Sequence, residues 1–105
     1  MTTIIKKAET FRRTLKFSDK NTGAAIDLTG CTAQSQMRTM PGGTLLADAV
    51  CTVADGMVTA LWDKTATSAF AEGKAGYDIW LICDGEQKPI FTEEVEIIKA
   101  YTEVE

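Results

Sequence analysis

Short runs of alternating apolar and polar residues, divided by clusters of turn-forming residues, recur along the whole chain of 105 residues. Alternation with a period of two is typical of a β-strand that buries one face. Glycine, proline and Asp-Gly pairs between the runs favour turns, and Asp55-Gly56 is the strongest hairpin signal. Strands are therefore predicted at residues 11–17, 31–40, 44–53, 57–62, 77–83 and 90–98, with a short extended piece at 24–28.

This succession of strands predicts an all-β fold, an antiparallel β-sandwich of Ig-like or Greek-key type with six to seven strands. A small closed barrel is the competing architecture. One short helix is expected at residues 64–71, with Asp63 as its N-cap. The side chains at the inward positions of the strands should share one core between two sheets; they are Phe11, Leu15, Phe17, Met37, Ile79, Leu81, Val95 and Ile97.

The length suits one domain, which we place at residues 9–100. Residues 1–8 are expected to form a flexible N-terminal arm, and residues 101–105 a frayed C-terminus. No apolar run approaches the roughly 20 residues needed to span a bilayer, and residues 1–7 lack the apolar core of a signal peptide. The domain is therefore expected to be made and kept, or assembled, inside a cell.

The composition argues against catalysis. The chain has no histidine, which is the commonest general base and the usual zinc ligand. No GxSxG or phosphate-binding glycine loop is present, and the aspartates stand mostly at turn positions. We expect no enzyme activity, no cofactor, no metal and no small-molecule substrate.

Cys31, Cys51 and Cys83 are odd in number and widely spaced, and no CxxC pair exists. Each lies in an apolar stretch, where free cysteines are often buried. They are therefore expected to be reduced core thiols of low reactivity, because apolar burial raises the pKa of a thiol.

Charge is divided between the ends of the chain, although the net charge is only −4. Residues 1–20 carry six basic and two acidic side chains, and residues 84–105 carry seven acidic and two basic ones. An acidic chain is a poor partner for nucleic acid. Either the first and last strands are neighbours, or the basic edge of one copy docks on the acidic edge of the next and closes a ring. The candidate interface residues are Arg12, Lys16, Glu93, Glu94 and Glu96.

Trp80 lies on a predicted strand whose two faces are both apolar. A sandwich strand normally exposes one face, so Trp80 either belongs to the core or anchors a protein interface. A third alternative, a carbohydrate-binding module, would need Trp62 and Trp80 side by side on the surface.

Several short segments follow one another in a recognisable order. They are Asp27-Leu28-Thr29-Gly30, Met37-Arg38, Asp55-Gly56-Met57-Val58, Gly76-Tyr77-Asp78-Ile79 and Val95-Glu96-Ile97. Over residues 9–98 this order resembles small virion proteins of tailed bacteriophages and prophages. It is similar to the N-terminal β-sandwich domain of phage baseplate upper proteins and to small tail- or fibre-associated proteins. Glu93 and Glu94 stand where such proteins often have a glycine before the final strand.

The resemblance implies a non-catalytic structural or adaptor protein of a phage particle, in a tail, baseplate, connector or fibre. Its partners would be other virion proteins and further copies of the same protein. Neither a membrane nor nucleic acid would be a partner. It would reside in the virion after assembly in the bacterial host cytoplasm. The alternatives are a small phage-encoded inhibitor of a host factor, whose acidic surface mimics nucleic acid, and a small binding module.

Overall fold

The computed structural model describes residues 3–18, 20–24, 26–40 and 43–99. Within these residues the chain forms eight strands and one short helix. They are β1 (Thr3–Lys6), β2 (Phe11–Lys16), β3 (Cys31–Thr39), β4 (Leu45–Asp48), β5 (Val50–Ala54), β6 (Met57–Trp62), α1 (Lys64–Ser68), β7 (Gly73–Cys83) and β8 (Glu86–Ile98).

The strands form two sheets. The larger sheet has five strands in the order β1-β8-β7-β3-β4, and the smaller has three in the order β2-β6-β5. β1 runs parallel to β8, and the other neighbouring pairs are antiparallel. The predicted all-β, sandwich-like class is confirmed.

The core lies between the two sheets, where the inward residues of both alternate with outward polar ones. Of the eight predicted core residues, five are buried, and Leu15, Phe17 and Leu81 are partly buried against them. Trp62 and Tyr77 were not predicted to be core residues, yet their rings pack at 5.1 Å between centroids. Phe11 lies 5.7 Å from each of them, so an aromatic cluster joins the sheets.

Two tight hairpins connect consecutive strands. Asp55 and Gly56, between β5 and β6, have φ values of 54° and 72°, and Asp84 and Gly85, between β7 and β8, have 50° and 81°. Two consecutive positive φ angles match the twist of an antiparallel pair, and Asp-Gly tolerates them well. Both predicted turns are confirmed.

The helix begins where it was predicted but is shorter. Asp63 caps it, because its carboxylate accepts a hydrogen bond from the amide of Ala66 at 2.9 Å. The helix ends at Ser68 rather than at residue 71. Among the described residues, no helix has the length and apolar character needed to cross a membrane.

Residues 44–53, predicted as one strand, form two strands in different sheets. β4 belongs to the larger sheet and β5 to the smaller, and Ala49 lies between them with its amide bonded to the carbonyl of Ser35 at 2.9 Å. In the sequence, Leu46 and Val50 share a register with Asp48, which made the buried face ambiguous. The change of sheet explains that ambiguity.

The N-terminal segment differs from the expected flexible arm. Thr3–Lys6 form β1, which pairs with β8 through Ile5 and Ile97, and Ile5 is fully buried. Four residues are too few to reveal a strand by alternation, and a parallel partner at the far end of the chain leaves no local signal. The C-terminal residues 101–105, expected to be frayed, lie outside the described residues.

The expectation of three reduced thiols is wrong for two of them. Cys31 and Cys83 form a disulfide across β3 and β7, where they stand directly opposite each other with 4.4 Å between Cα atoms. Such a short distance suits a disulfide between neighbouring strands. Spacing along the sequence does not reveal register, so the pair was missed. Cys51 is the free thiol, and partial burial raises its pKa, as expected.

Candidate functional site

The outward side of the larger sheet forms an open groove of about 650 Å³. Side chains from β3, β7 and β8 line it, and none of the described elements packs over it as the smaller sheet packs over the opposite side. We call this surface the Trp80 face. It comprises the outward residues Gln34, Gln36, Arg38, Gly76, Asp78, Trp80, Ile82, Gln87, Thr92 and Glu94, together with Met40.

Trp80 stands in the middle strand of this face. Its neighbours in the sheet are Gln34 on β3 and Pro89 on β8, and a register shift between Ile79 and Trp80 brings Pro89 opposite it. Ile79 points into the core and is fully buried, whereas Trp80 is only partly buried. The structure therefore places Trp80 outside the core, and its interface role stays a prediction.

One side of the face is held by a chain of hydrogen bonds. Arg38 donates to the carbonyl of Gly43 and to the side-chain oxygen of Gln36, each at 2.8 Å. Gln36 in turn donates to the carboxylate of Asp48 at 2.9 Å. These contacts fix the polar wall of the groove along β3 and β4.

Along β7 and β8, the Trp80 face carries two carboxylates that have no partner among the described residues. Among the described residues, the side chains of Asp78 and Glu94 make no hydrogen bond and no ion pair. Asp78 is partly buried beside Trp80, so its charge faces the groove from a site of reduced solvation. This side can therefore receive a cationic or hydrogen-bond-donating group without first breaking an internal contact.

Gly76 shapes the end of the groove. A Cβ atom built there would lie 2.9 Å from the sulfur of Met40, so Met40 lies directly over this glycine. The amide of Met40 donates to the carbonyl of Lys74 at 3.0 Å, and the side chain is 40% exposed. The groove thus has an apolar residue at this end and Trp80 further along β7.

A second surface lies on the outward side of the smaller sheet. Arg12 and Lys16 on β2 are both exposed there, and Thr14 between them contacts Thr59 of β6 through hydroxyls 3.2 Å apart. We call this surface the basic face. Its outward residues are Arg12, Thr14, Lys16, Val50, Thr52, Ala54, Met57, Thr59 and Leu61.

The side chain of Glu93 lies on the opposite side of the larger sheet from those of Glu94 and Glu96, because it points toward the smaller sheet. One carboxylate oxygen accepts from Arg13 and from the hydroxyl of Tyr77, both at 2.6 Å, and the other accepts from Thr3 at 2.8 Å. Arg13 also donates to the Tyr77 hydroxyl at 3.0 Å. We call Arg13, Tyr77, Glu93 and Thr3 the inter-sheet network.

The inter-sheet network shifts the pKa of its members. Partial burial opposes ionisation of Glu93, but the hydrogen bonds from Tyr77, Thr3 and Arg13 outweigh it and lower the pKa of the carboxyl. Burial, followed by the bond to the anionic Glu93, raises the pKa of Tyr77. Arg13 is a charged residue at an inward position of β2, where alternation would place an apolar one. The inward carboxylate of Glu93 on the other sheet accounts for it.

The predicted docking edges are corrected by the topology. β2, the strand predicted as the first, lies in a different sheet from β8, although Arg13 and Glu93 join the two across the sandwich. The strand of the basic head that does neighbour β8 is β1. β1 flanks only Val95–Ile98 of β8, so among the described residues Glu96 lies beside a second strand, whereas Glu93 and Glu94 lie on a part of β8 that pairs with β7 alone. Arg12 and Lys16 remain together on one surface, and Trp80, Glu94 and Glu96 on another.

The two tryptophans do not form a surface platform. Trp62 is 1% exposed and donates its indole N–H to the carbonyl of Ala47 at 3.2 Å. Trp80 lies on the opposite side of the larger sheet. The arrangement required for the carbohydrate-binding alternative, as predicted from sequence, is therefore absent.

Within the described part of the chain, no group of three or more cysteine, aspartate or glutamate side chains is placed to hold a metal ion. Neither a known protein family nor a curated protein matches the sequence. Function must therefore be argued from the surfaces themselves.

Proposed function

We propose that this protein is a non-catalytic docking module that binds another protein through the Trp80 face. The observation that carries the proposal is the position of Trp80, a large amphipathic side chain on the outward side of the larger sheet. Tryptophan is among the residues most enriched at interface hot spots. Other residues of the Trp80 face supply the mixed surroundings usual at a hot spot: Ile82 and Met40 are apolar, and Asp78 and Glu94 are charged.

The shape of the surface favours a protein over a small molecule. Small-molecule sites enclose most of the ligand surface, whereas this groove is open along the sheet. An open sheet face with an apolar centre and a polar border has the general anatomy of a protein interface.

The resemblance to tail-associated proteins supports a place for this module in a phage particle. There it acts as a structural adaptor in a tail, baseplate, connector or fibre, and it is assembled in the cytoplasm of the bacterial host. In that setting a rigid sandwich presents the Trp80 face to a neighbouring virion protein, and no catalysis is required of it.

Mass spectrometry of purified phage particles tests the setting, and a Trp80→Ala variant tests the surface. We expect the wild-type protein in the particles and a loss of about 30-fold in incorporation for Trp80→Ala, the scale of a 2 kcal/mol hot spot. Ile26→Ala is the matched control, because Ile26 is 42% exposed on a loop outside both faces.

Absence of the wild-type protein from the particles would overturn the virion assignment and favour the inhibitor alternative. Equal incorporation of Trp80→Ala and Ile26→Ala would show that the Trp80 face is not the docking surface. Circular dichroism and thermal unfolding of both variants establish that each is folded before it is compared.

A further inference from the structure

We infer that the partner on the Trp80 face is a second copy of this chain, which docks its basic face there. The inference rests on the proposed docking role of the Trp80 face and adds the identity of the occupant. Three observations carry it: complementary charge, matching spacing of the charges, and apolar residues exposed at both surfaces.

The two faces have opposite charge. Along the outward side of the larger sheet, four carboxylates face three cations, which leaves a net charge of −1; the residues are Asp48, Asp78, Glu94 and Glu96 against Lys6, Arg38 and Lys74. Arg38 is already bonded to Gly43 and Gln36. The basic face carries Arg12 and Lys16 and no carboxylate at its outward strand positions. Complementary charge of this kind steers association and fixes orientation.

The charges are also spaced alike. Arg12 and Lys16 are four residues apart on β2, which places them about 13 Å apart along the strand. Asp78 stands opposite Thr92, and Glu96 lies four residues beyond Thr92 on β8, so these two carboxylates are separated by about the same 13 Å along the strand direction. One basic strand can therefore reach Asp78 on the Trp80 face and Glu96, which lies beyond that face on the same side of the sheet.

Apolar side chains lie next to the charges on both surfaces. On the basic face Val50 is 65% exposed. It lies opposite Leu61 on the neighbouring strand, and Leu61 in turn lies opposite Arg12. On the Trp80 face, Trp80 and Ile82 continue along β7 from Asp78. Both surfaces therefore expose apolar side chains beside the charges, and their burial in a contact supplies affinity that exposed ion pairs alone do not give.

The arrangement of the faces fixes the kind of assembly. They lie on opposite sides of the sandwich, so a pair of copies joined by one such contact leaves one basic face and one Trp80 face free. The contact is heterologous, and further copies add head to tail until a ring closes or a filament forms. A two-fold dimer does not use this contact.

Sedimentation velocity with two complementary variants tests the inference. The acceptor variant Trp80→Ala/Glu96→Lys removes Trp80 and one of the two carboxylates that would face Arg12 and Lys16, and the donor variant Arg12→Glu/Lys16→Glu removes both cations of the basic face. We expect the wild type to form species larger than a dimer at low salt, and to dissociate as salt rises from about 50 mM to about 500 mM. Each variant alone is expected to be monomeric.

An equimolar mixture of the two variants provides the decisive result. Each retains one intact face, so the mixture forms a dimer and nothing larger. Ile26→Ala serves again as the control and assembles as the wild type does. A monomeric wild type at low salt, self-association retained in either variant, or a mixture that stays monomeric would overturn the inference. A monomeric wild type that still enters phage particles through Trp80 would leave the proposed docking function standing.

Discussion

Arg13 of the smaller sheet and Glu93 of the larger sheet form an ion pair with 2.6 Å between Nη2 and Oε1. The pair lies between the two layers, and the guanidinium also lies over the rings of Phe11 and Phe91 at 5.6 and 5.8 Å from their centroids. Both side chains are partly exposed, at 31% and 21%. The contact links β2 to β8, which lie in different sheets.

Removing the charge of Glu93 should weaken the fold. Glu93→Gln keeps the size of the side chain and one acceptor oxygen but loses the ion pair with Arg13 and the acceptor for Thr3, so we expect a loss of about 1.5–3 kcal/mol in the free energy of unfolding. Urea denaturation measures it. Glu94→Gln is the matched control, because Glu94 has no partner among the described residues; equal losses in both variants would contradict the role of the network.

The same contact predicts how stability depends on pH. The pKa of Glu93 is lower in the fold than its ordinary value of 4.5, so its stabilisation is complete above that value and is lost as the pH falls through the lowered one. The difference in unfolding free energy between wild type and Glu93→Gln should therefore be smaller at about pH 3 than at about pH 7. A difference that does not change between these pH values would assign the effect to packing.

The disulfide should make a large contribution to stability. Cys31 and Cys83 are 52 residues apart in sequence, and a loop of this size corresponds to about 4 kcal/mol in the chain-entropy treatment. Cys31→Ser/Cys83→Ser should lower the melting temperature of the wild type and abolish its sensitivity to reductant. Intact-mass analysis should find the native protein two hydrogens lighter than its reduced form. Rapid native labelling of all three thiols would exclude the bond.

Gly56 should resist substitution. Its φ of 72° is costly for a β-branched residue, so Gly56→Val should destabilise by about 1 kcal/mol or more. Asp55→Asn at the preceding position should change stability little, because asparagine tolerates positive φ. Thermal unfolding of the two variants measures the contrast, and similar melting temperatures would argue against this hairpin.

β1 should behave as part of the core. Ile5 is fully buried, whereas its neighbour Ile4 is 53% exposed. Ile5→Ala should cost about 2–5 kcal/mol of unfolding free energy, and Ile4→Ala far less. Denaturant unfolding of both variants compares two identical substitutions at adjacent positions. Equal and small effects would restore the flexible arm expected from the sequence.

The sequence predicted those parts of the fold that depend on interactions between residues a few positions apart. The Asp-Gly hairpins, the Asp63 cap and most of the core follow from turn geometry, capping and alternation, all of which act over a few residues. The disulfide, β1 and the change of sheet at Ala49 depend on which distant strands become neighbours, and alternation carries no such information. For the site, the two-sided apolar strand singled out Trp80, and the basic head of the chain singled out Arg12 and Lys16. Alternation along β8 places Glu93 on the inward side with Val95, but nothing local reveals that its partner is Arg13 on the other sheet.

The pairing of β1 with β8 also determines the order in which the parts of the fold form. Thr3 meets Val95, so about ninety residues must be synthesised between the two strands. At ordinary rates of translation this takes on the order of 5–20 s, during which β1 has no partner and β8 does not yet exist. The larger sheet is therefore closed last, by contacts of very large sequence separation, which is the feature that slows folding most. Until then Ile5 is exposed on a nascent chain, and this interval is when the protein is most vulnerable to aggregation.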